Sequence, residues 1–215
     1  MRNQPMKSIC YLSVLLGSLV TSASALAAGA PKPGFDCAKA TTKTEKMICG
    51  SRELSILDKD MSGLYRTLVA GEYPQIATKQ KEWLEKRKQC ESSQEQESCL
   101  VALYNMRVME LAKLHVEANR FGQPYCSKDC LYQWGYEIED LRLGSDSVEY
   151  LVLNGRYIYG VVTTQYYIGT FDKNRLEPKE TICSKQIADD GRGAVSGDKD
   201  CTSEKAIARF RVSKK

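Results

Sequence analysis

Cysteine is the residue of this chain with the most chemistry to offer, and its spacing is uneven. Cys37 and Cys49 stand close together, then Cys90 and Cys99, then Cys126 and Cys130, with Cys183 and Cys201 further along. Such thiols are metal ligands or nucleophiles in a reducing compartment and disulfide bridges in an oxidising one. The amino-terminal sequence chooses between these. Arg2 and Lys7 form a basic start, Tyr11 to Val20 an apolar stretch too short to span a bilayer, and Ala25-Leu26-Ala27 a small-x-small cleavage site, so residues 1–27 read as a secretory signal peptide. The ninth cysteine, Cys10, leaves with that segment, and its context lacks the Leu-small-small pattern expected before a lipidated cysteine. What remains is an even set, which the exported chain is expected to close into disulfides, two in each half.

Other chemistry finds less support. The Cys126-x-x-x-Cys130 spacer is one residue too long for a Cys-x-x-Cys redox motif, and with Cys183 and Cys201 it reads as bridges rather than a four-thiolate zinc site. Asp189-Asp190-Gly191 and Asp198-Lys199-Asp200 hint at calcium, but Arg192 and Lys199 interrupt the acids and no bidentate Glu follows, so a solvated loop is expected. The single histidine, His115, falls between Lys113 and Glu117 near the end of a helical pattern and reads as part of a solvated face rather than a general base. Carboxylates are plentiful, yet none sits in a recognisable glycosidase setting. No catalytic residue, metal or cofactor is assigned. The formal net charge of +4 falls further once Arg2 and Lys7 are removed, too weak a balance for a nucleic-acid footprint.

The elements that must position these residues differ between the two halves. Asp36 can cap a helical turn reaching Lys39, and Thr42-Lys43-Thr44-Glu45 has capping-box spacing at the head of a short helix ending near Cys49. A second start at Ser51 opens an apolar stripe, Leu54, Leu57, Met61, Leu64 and Leu68, that closes near Gly71. After Tyr73-Pro74 the same three-four steps recur at Ile76, Gln80, Trp83, Arg87 and Cys90, and again at Leu100, Tyr104, Arg107, Leu111 and Leu114 before Phe121-Gly122-Gln123-Pro124. Short connections make these three long helices antiparallel neighbours, which brings Cys49, Cys90 and Cys99 to one pole with Cys37 near enough to join them. Spacing leaves all three pairings open. Arg87 and Arg107 lie in inward stripes: either they share an ion-pair network with Asp58, or they sit at stripe edges with their heads in water.

Past Pro124 three-four periodicity gives way to alternation, so residues 125–215 read as a β-rich module. Val148 to Leu153 and Arg156 to Val162 flank Asn154-Gly155, a dipeptide suited to a type I′ hairpin turn, and Thr163 to Phe171 can add a further strand. Tyr132, Trp134, Tyr136 and Ile138 alternate as in a strand, while Leu131, Trp134, Ile138 and Leu141 also fit a helix face. Tyr150, Tyr157, Tyr159, Tyr166 and Tyr167, with Trp134, are either core or a platform for sugar rings or an aromatic interface, and core packing is the default. The fold class expected is α+β, a disulfide-clamped helical bundle (35–121) after a 28–34 linker, followed by the β-rich, disulfide-containing module.

The first half also carries a resemblance. Phe35-Asp36-Cys37-Ala38-Lys39-Ala40, Glu45, Ile48-Cys49, Glu53-Leu54, Leu57-Asp58, Tyr65, Gln80, Trp83-Leu84, Arg87, Cys90, Cys99-Leu100, Tyr104 and Arg107 resemble the N-terminal domain of the LprI-type lysozyme inhibitor family. The resemblance spans about residues 35–115 and implies structural roles for Asp36, Asp58, Tyr65, Gln80, Trp83, Arg87, Tyr104 and Arg107. It further implies an exported protein that inhibits host-type lysozyme without covalent chemistry. This chain departs from the family in lacking a lipidation cysteine and in adding the second module, so membrane attachment does not carry over. The expected partner is lysozyme or another cell-envelope protein, with no nucleic acid and no membrane insertion after signal cleavage; nothing in the sequence fixes the oligomeric state. Glu91, Glu95 and Glu97, on the loop between the second and third long helices, are candidate contacts that could steer onto a basic lysozyme. A periplasmic immunity or adaptor protein is the competing reading, and a peptidoglycan-active enzyme a further one.

Overall fold

A computed structural model describes residues 31–118, 134–158, 161–172, 175–188 and 195–213. Several of its helices start where a side chain satisfies a free N–H group of the first turn. A 3-10 turn at Cys37–Lys39 is capped by Asp36, whose Oδ1 accepts from Ala38 N at 3.0 Å. Helix α1 (Lys43–Gly50) begins with a reciprocal capping box: Glu45 N donates to Thr42 Oγ1 at 3.1 Å and Thr42 N donates to Glu45 Oε2 at 2.9 Å. Ser51 caps α2 (Arg52–Ala70), and after the Tyr73-Pro74 break come α3 (Ile76–Gln89), a 3-10 turn at Cys90–Ser92, and α4 (Gln96–Ala118). Leu54, Leu57, Met61, Leu64 and Leu68 are all buried, as are Ile76, Trp83, Leu100, Tyr104 and Leu111, so the three stripes meet in one bundle core.

The second half is a five-stranded antiparallel sheet in the order β1 (Trp134–Leu143), β2 (Val148–Ile158), β3 (Val161–Asp172), β4 (Arg175–Ala188) and β5 (Val195–Gly197), closed by helix α5 (Ser203–Val212). The ambiguous stretch from Trp134 is therefore a strand, and the strand expected from Thr163 to Phe171 lies inside β3. The α+β class expected from the sequence holds, although its terminal helix gave no clear signal there.

One expectation is overturned. Asn154-Gly155 is no hairpin turn but the middle of β2, with Asn154 opposite Tyr136 on one side and Gln165 on the other. Gly155 has no left-handed φ, which a type I′ turn would need. Continuing the strand gives both residues a ladder on each side. The chain reverses instead between Ile158 and Val161.

Alternation gives the sheet two buried faces. Val148, Tyr150 and Val152 of β2, with Ile138 and Tyr167, join the same core as the bundle, while Leu151, Tyr166, Ile168 and Cys183 pack with Cys201, Ala206 and Phe210 of the α5 side. The layers run bundle, sheet, helix. Helix α4 serves both the bundle and the sheet, because Val108, Ala112 and Val116 form a second buried stripe beside the first. His115, at 0 % exposure, lies on that side with its ring edge-on to Phe171 at 4.9 Å. The solvated face expected for it is thus corrected: the sheet covers this turn of α4, a contact that no local pattern announces. Side-chain ties reinforce the layering, since Tyr150 OH donates to Asp60 Oδ2 of α2 and Arg52 Nη2 donates to the Gly144 and Ser145 carbonyls of the β1–β2 turn.

Candidate functional site

Two disulfides clamp one end of the bundle. Cys37–Cys49 ties the first 3-10 turn to α1, and Cys90–Cys99 ties the end of α3 to the first turn of α4, which settles the pairing that spacing left open. Between the bridges, Thr44 Oγ1 donates to Glu91 Oε1 at 2.6 Å, and Gln96 Nε2 donates to the Glu91 carbonyl at 2.5 Å. The first turn of α1, inside the first bridge, and the loop inside the second are thereby fastened to each other. A third bridge, Cys183–Cys201, joins β4 to the segment before α5; Cys126 and Cys130 lie outside the described residues.

Behind this end runs a buried polar network made from the residues singled out by the family frame. Tyr104 OH donates to Asp58 Oδ1 at 2.7 Å and accepts from Arg87 Nη1 at 2.9 Å. Asp58 Oδ2 accepts from Gly34 N at 2.8 Å, an approach so close that a Cβ on Gly34 would lie 2.4 Å from Ser62 Oγ. Burial raises the Asp58 carboxyl above its ordinary range, and the donors Tyr104 and Gly34 and the charges of Arg87 and Arg66 pull the other way. Burial and the Asp58 charge push Tyr104 far up, so its hydroxyl stays a donor. Trp83 lies edge-on to Tyr104 at 4.9 Å and under the Arg87 guanidinium at 5.5 Å.

Arg107 is 2 % exposed and uses other partners: Gln80 Oε1 accepts from Nε at 3.1 Å and from Nη2 at 2.9 Å, while Nη1 pairs with Glu110 at 2.7 Å. The ion-pair network expected around Asp58 therefore takes a different form. Arg107 bonds Gln80 and Glu110 rather than Asp58, and Arg87 reaches Asp58 through the tyrosine hydroxyl. Tyr65 packs at the edge of the same core. Asp36 is spent on its cap.

On the outside of the clamped end is a cleft of about 510 Å³, bordered by Thr42, Lys43 and Glu45 on one side and by Leu84, Lys88 and Glu91 on the other. Arg87 also borders it, with an Nε that has no hydrogen-bond partner. Two backbone N–H groups, of Thr42 and Thr41, hold the Glu45 carboxyl down to about 2, so it stays ionised. Of the acids picked from the sequence, Glu91 is engaged by Thr44, whereas the exposed Glu95 and Glu97 are left to solvent on the loop and the first turn of α4. Sequence reasoning missed Thr44 as the fastener; its position beside a capping box gave no hint of a partner forty-odd residues away.

The second half brings fewer of its candidates together. Tyr150, Tyr166 and Tyr167 are buried, as core packing would have it, and the side chains of Trp134, Tyr157 and Tyr159 lie outside the described residues. Asp198 pairs with Arg209 at 2.7 Å, which holds its carboxyl below the ordinary value, and Asp200 pairs with Lys205 at 2.7 Å. These two acids are bound to cations of α5; Asp189 and Asp190 lie outside the described residues. Among the described residues no group of three or more His, Cys, Asp or Glu is placed to hold a metal ion. Compared with family models, curated proteins and solved structures, the chain matches none.

Proposed function

We propose that the chain is an exported, non-enzymatic inhibitor-like protein that binds a lysozyme-type glycosidase through the disulfide-clamped end of its helical bundle. The observation that carries this reading is the mutual fastening of the two bridged segments: each is closed by its own bridge, and Thr44 to Glu91 links them. A surface already rigid when free loses little conformational entropy on binding. The reading is also supported by the family frame, whose Asp58, Gln80, Trp83, Arg87, Tyr104 and Arg107 are the residues that hold the bundle behind that surface. Exposed Glu95 and Glu97 supply negative charge for steering onto a basic enzyme. The export route rests on the signal-like first 27 residues and on the bridges, which fit an oxidising space. Among the described residues no helix is long and apolar enough to cross a membrane.

The test is titration of the mature chain, residues 28–215, into a cell-wall lysis assay with a host-type lysozyme. Stoichiometric inhibition that weakens with salt is expected, and Glu95→Lys with Glu97→Lys should slow association about tenfold or more. No inhibition at micromolar excess would overturn the reading. Capture of a different envelope protein by the same chain, with lysozyme untouched, would favour an immunity or adaptor role.

A further inference from the structure

The sheet holds a cup of about 320 Å³ that shares no residue with the clamped end of the bundle. Its floor is one row across three strands, Tyr136 opposite Asn154 and Asn154 opposite Gln165, with Tyr167 and its neighbour Thr181 in the next row. Register shifts between β3 and β4 at Tyr166/Tyr167 and at Ile168/Gly169 break the regular pairing beside it, and such irregularities bend a strand. Leu176 and Pro178 of β4 complete the wall. Leu176 Cδ1 lies 2.9 Å from where a Cβ on Gly169 would be, so that wall depends on glycine at this position.

The lining is chemically selective. None of these residues is charged at neutral pH, and burial together with Tyr136 keeps the Tyr167 hydroxyl protonated. An ionic ligand would find no counter-charge there. Gln165 Nε2 donates to Thr181 Oγ1 at 3.2 Å, leaving its carbonyl as an acceptor, while Asn154 Oδ1 is buried without any hydrogen-bond partner. A buried polar atom left unpaired is costly, so a guest whose hydroxyl or N–H donors meet the Asn154 amide once it turns toward the cup would relieve that cost, and a purely aliphatic guest would leave it in place. Two tyrosines beside two amides suit a guest with an apolar C–H face and a polar rim. The volume is at the small end of the range for ligand sites.

We propose that this cup binds one neutral sugar ring of a saccharide. The proposal is independent of the lysozyme reading, because the two surfaces have no residue in common and either can fail alone. The experiment titrates the whole mature chain, by calorimetry and by ligand-observed NMR, with two probes: triacetylchitotriose, whose rings carry acetamido groups, and cellotriose, whose rings do not. Millimolar or tighter binding of at least one probe is expected, and the probe that binds identifies an amino-sugar or a plain hexose source. Gln165→Ala and Asn154→Leu should each weaken it at least about tenfold. Gln165→Ala should also leave the unfolding temperature unchanged, which separates lost recognition from lost folding. Absence of binding by either probe at about 10 mM, where a contact worth about 3 kcal/mol would register, overturns the proposal. So does an unchanged affinity in both variants.

Discussion

Helix α2 carries two carboxylates two residues apart, and each accepts from a tyrosine hydroxyl that is itself buried. Asp58 takes Tyr104 of α4, inside the bundle; Asp60 takes Tyr150 of β2, between bundle and sheet. Residues i and i+2 point to different sides of a helix, so the pair marks the two surfaces that α2 buries. Their surroundings differ. Asp58 has a second donor in Gly34 N and two nearby arginines, whereas Asp60 has only Lys59 to help it against burial, which pushes its carboxyl up to about 6. Burial raises both carboxyls, and the same chemical motif has more opposing partners in one place than in the other. What differs is how many donors the tertiary packing supplies.

The sharpest way to break this contrast is Asp58→Ala. It strips acceptors from Tyr104 and Gly34 in the core and leaves Arg87 facing an apolar site, so a loss of about 3 kcal/mol is expected in urea unfolding. A loss under about 1 kcal/mol would show that the network is not holding the bundle.

A pH series on Asp60→Asn separates the two carboxylates. Because the folded Asp60 carboxyl titrates near 6 and an unfolded one near about 4, the native state holds the extra proton between those values. Stability from this group is therefore full below about pH 4 and falls as pH rises towards about 6, by roughly 2–3 kcal/mol. The asparagine variant should lack that part of the slope, gaining on the native protein above pH 6 and not below pH 4. Equal slopes in thermal unfolding across this window would place the titration elsewhere.

The smallest effect belongs to Tyr150→Phe. It removes one donor while keeping the ring that lies edge-on to Phe171 at 5.0 Å, and a partly buried Asp60 can take water or a proton instead. A cost of about 1 kcal/mol is expected, together with a further upward shift of the Asp60 titration read by NMR.

The bundle was the more legible of the two halves. Thr42 and Glu45, Ser51, and the break at Tyr73-Pro74 punctuate its helices with local chemistry, and the stripes from Leu54 to Leu68 and from Ile76 to Trp83 are buried as periodicity implies. At the candidate pole, the cysteines were plain but their pairing was not, and the Thr44 to Glu91 fastener left no trace in spacing. In the sheet, alternation revealed strands, yet Asn154-Gly155 misled because turn propensity is a local preference and the paired neighbours Tyr136 and Gln165 outweigh it.

The sequence by itself determined where most helices of the bundle begin and end and which of their faces are apolar, because capping and periodicity act within a few residues, and it left Arg87 and Arg107 between a partnered core and a solvated edge. Only the tertiary structure decided which partners they found, that α4 buries a second stripe with His115 against the sheet, and that the bundle and the sheet share one core. Those outcomes depend on surfaces far apart in the chain meeting with complementary shape, and no local preference carries that information.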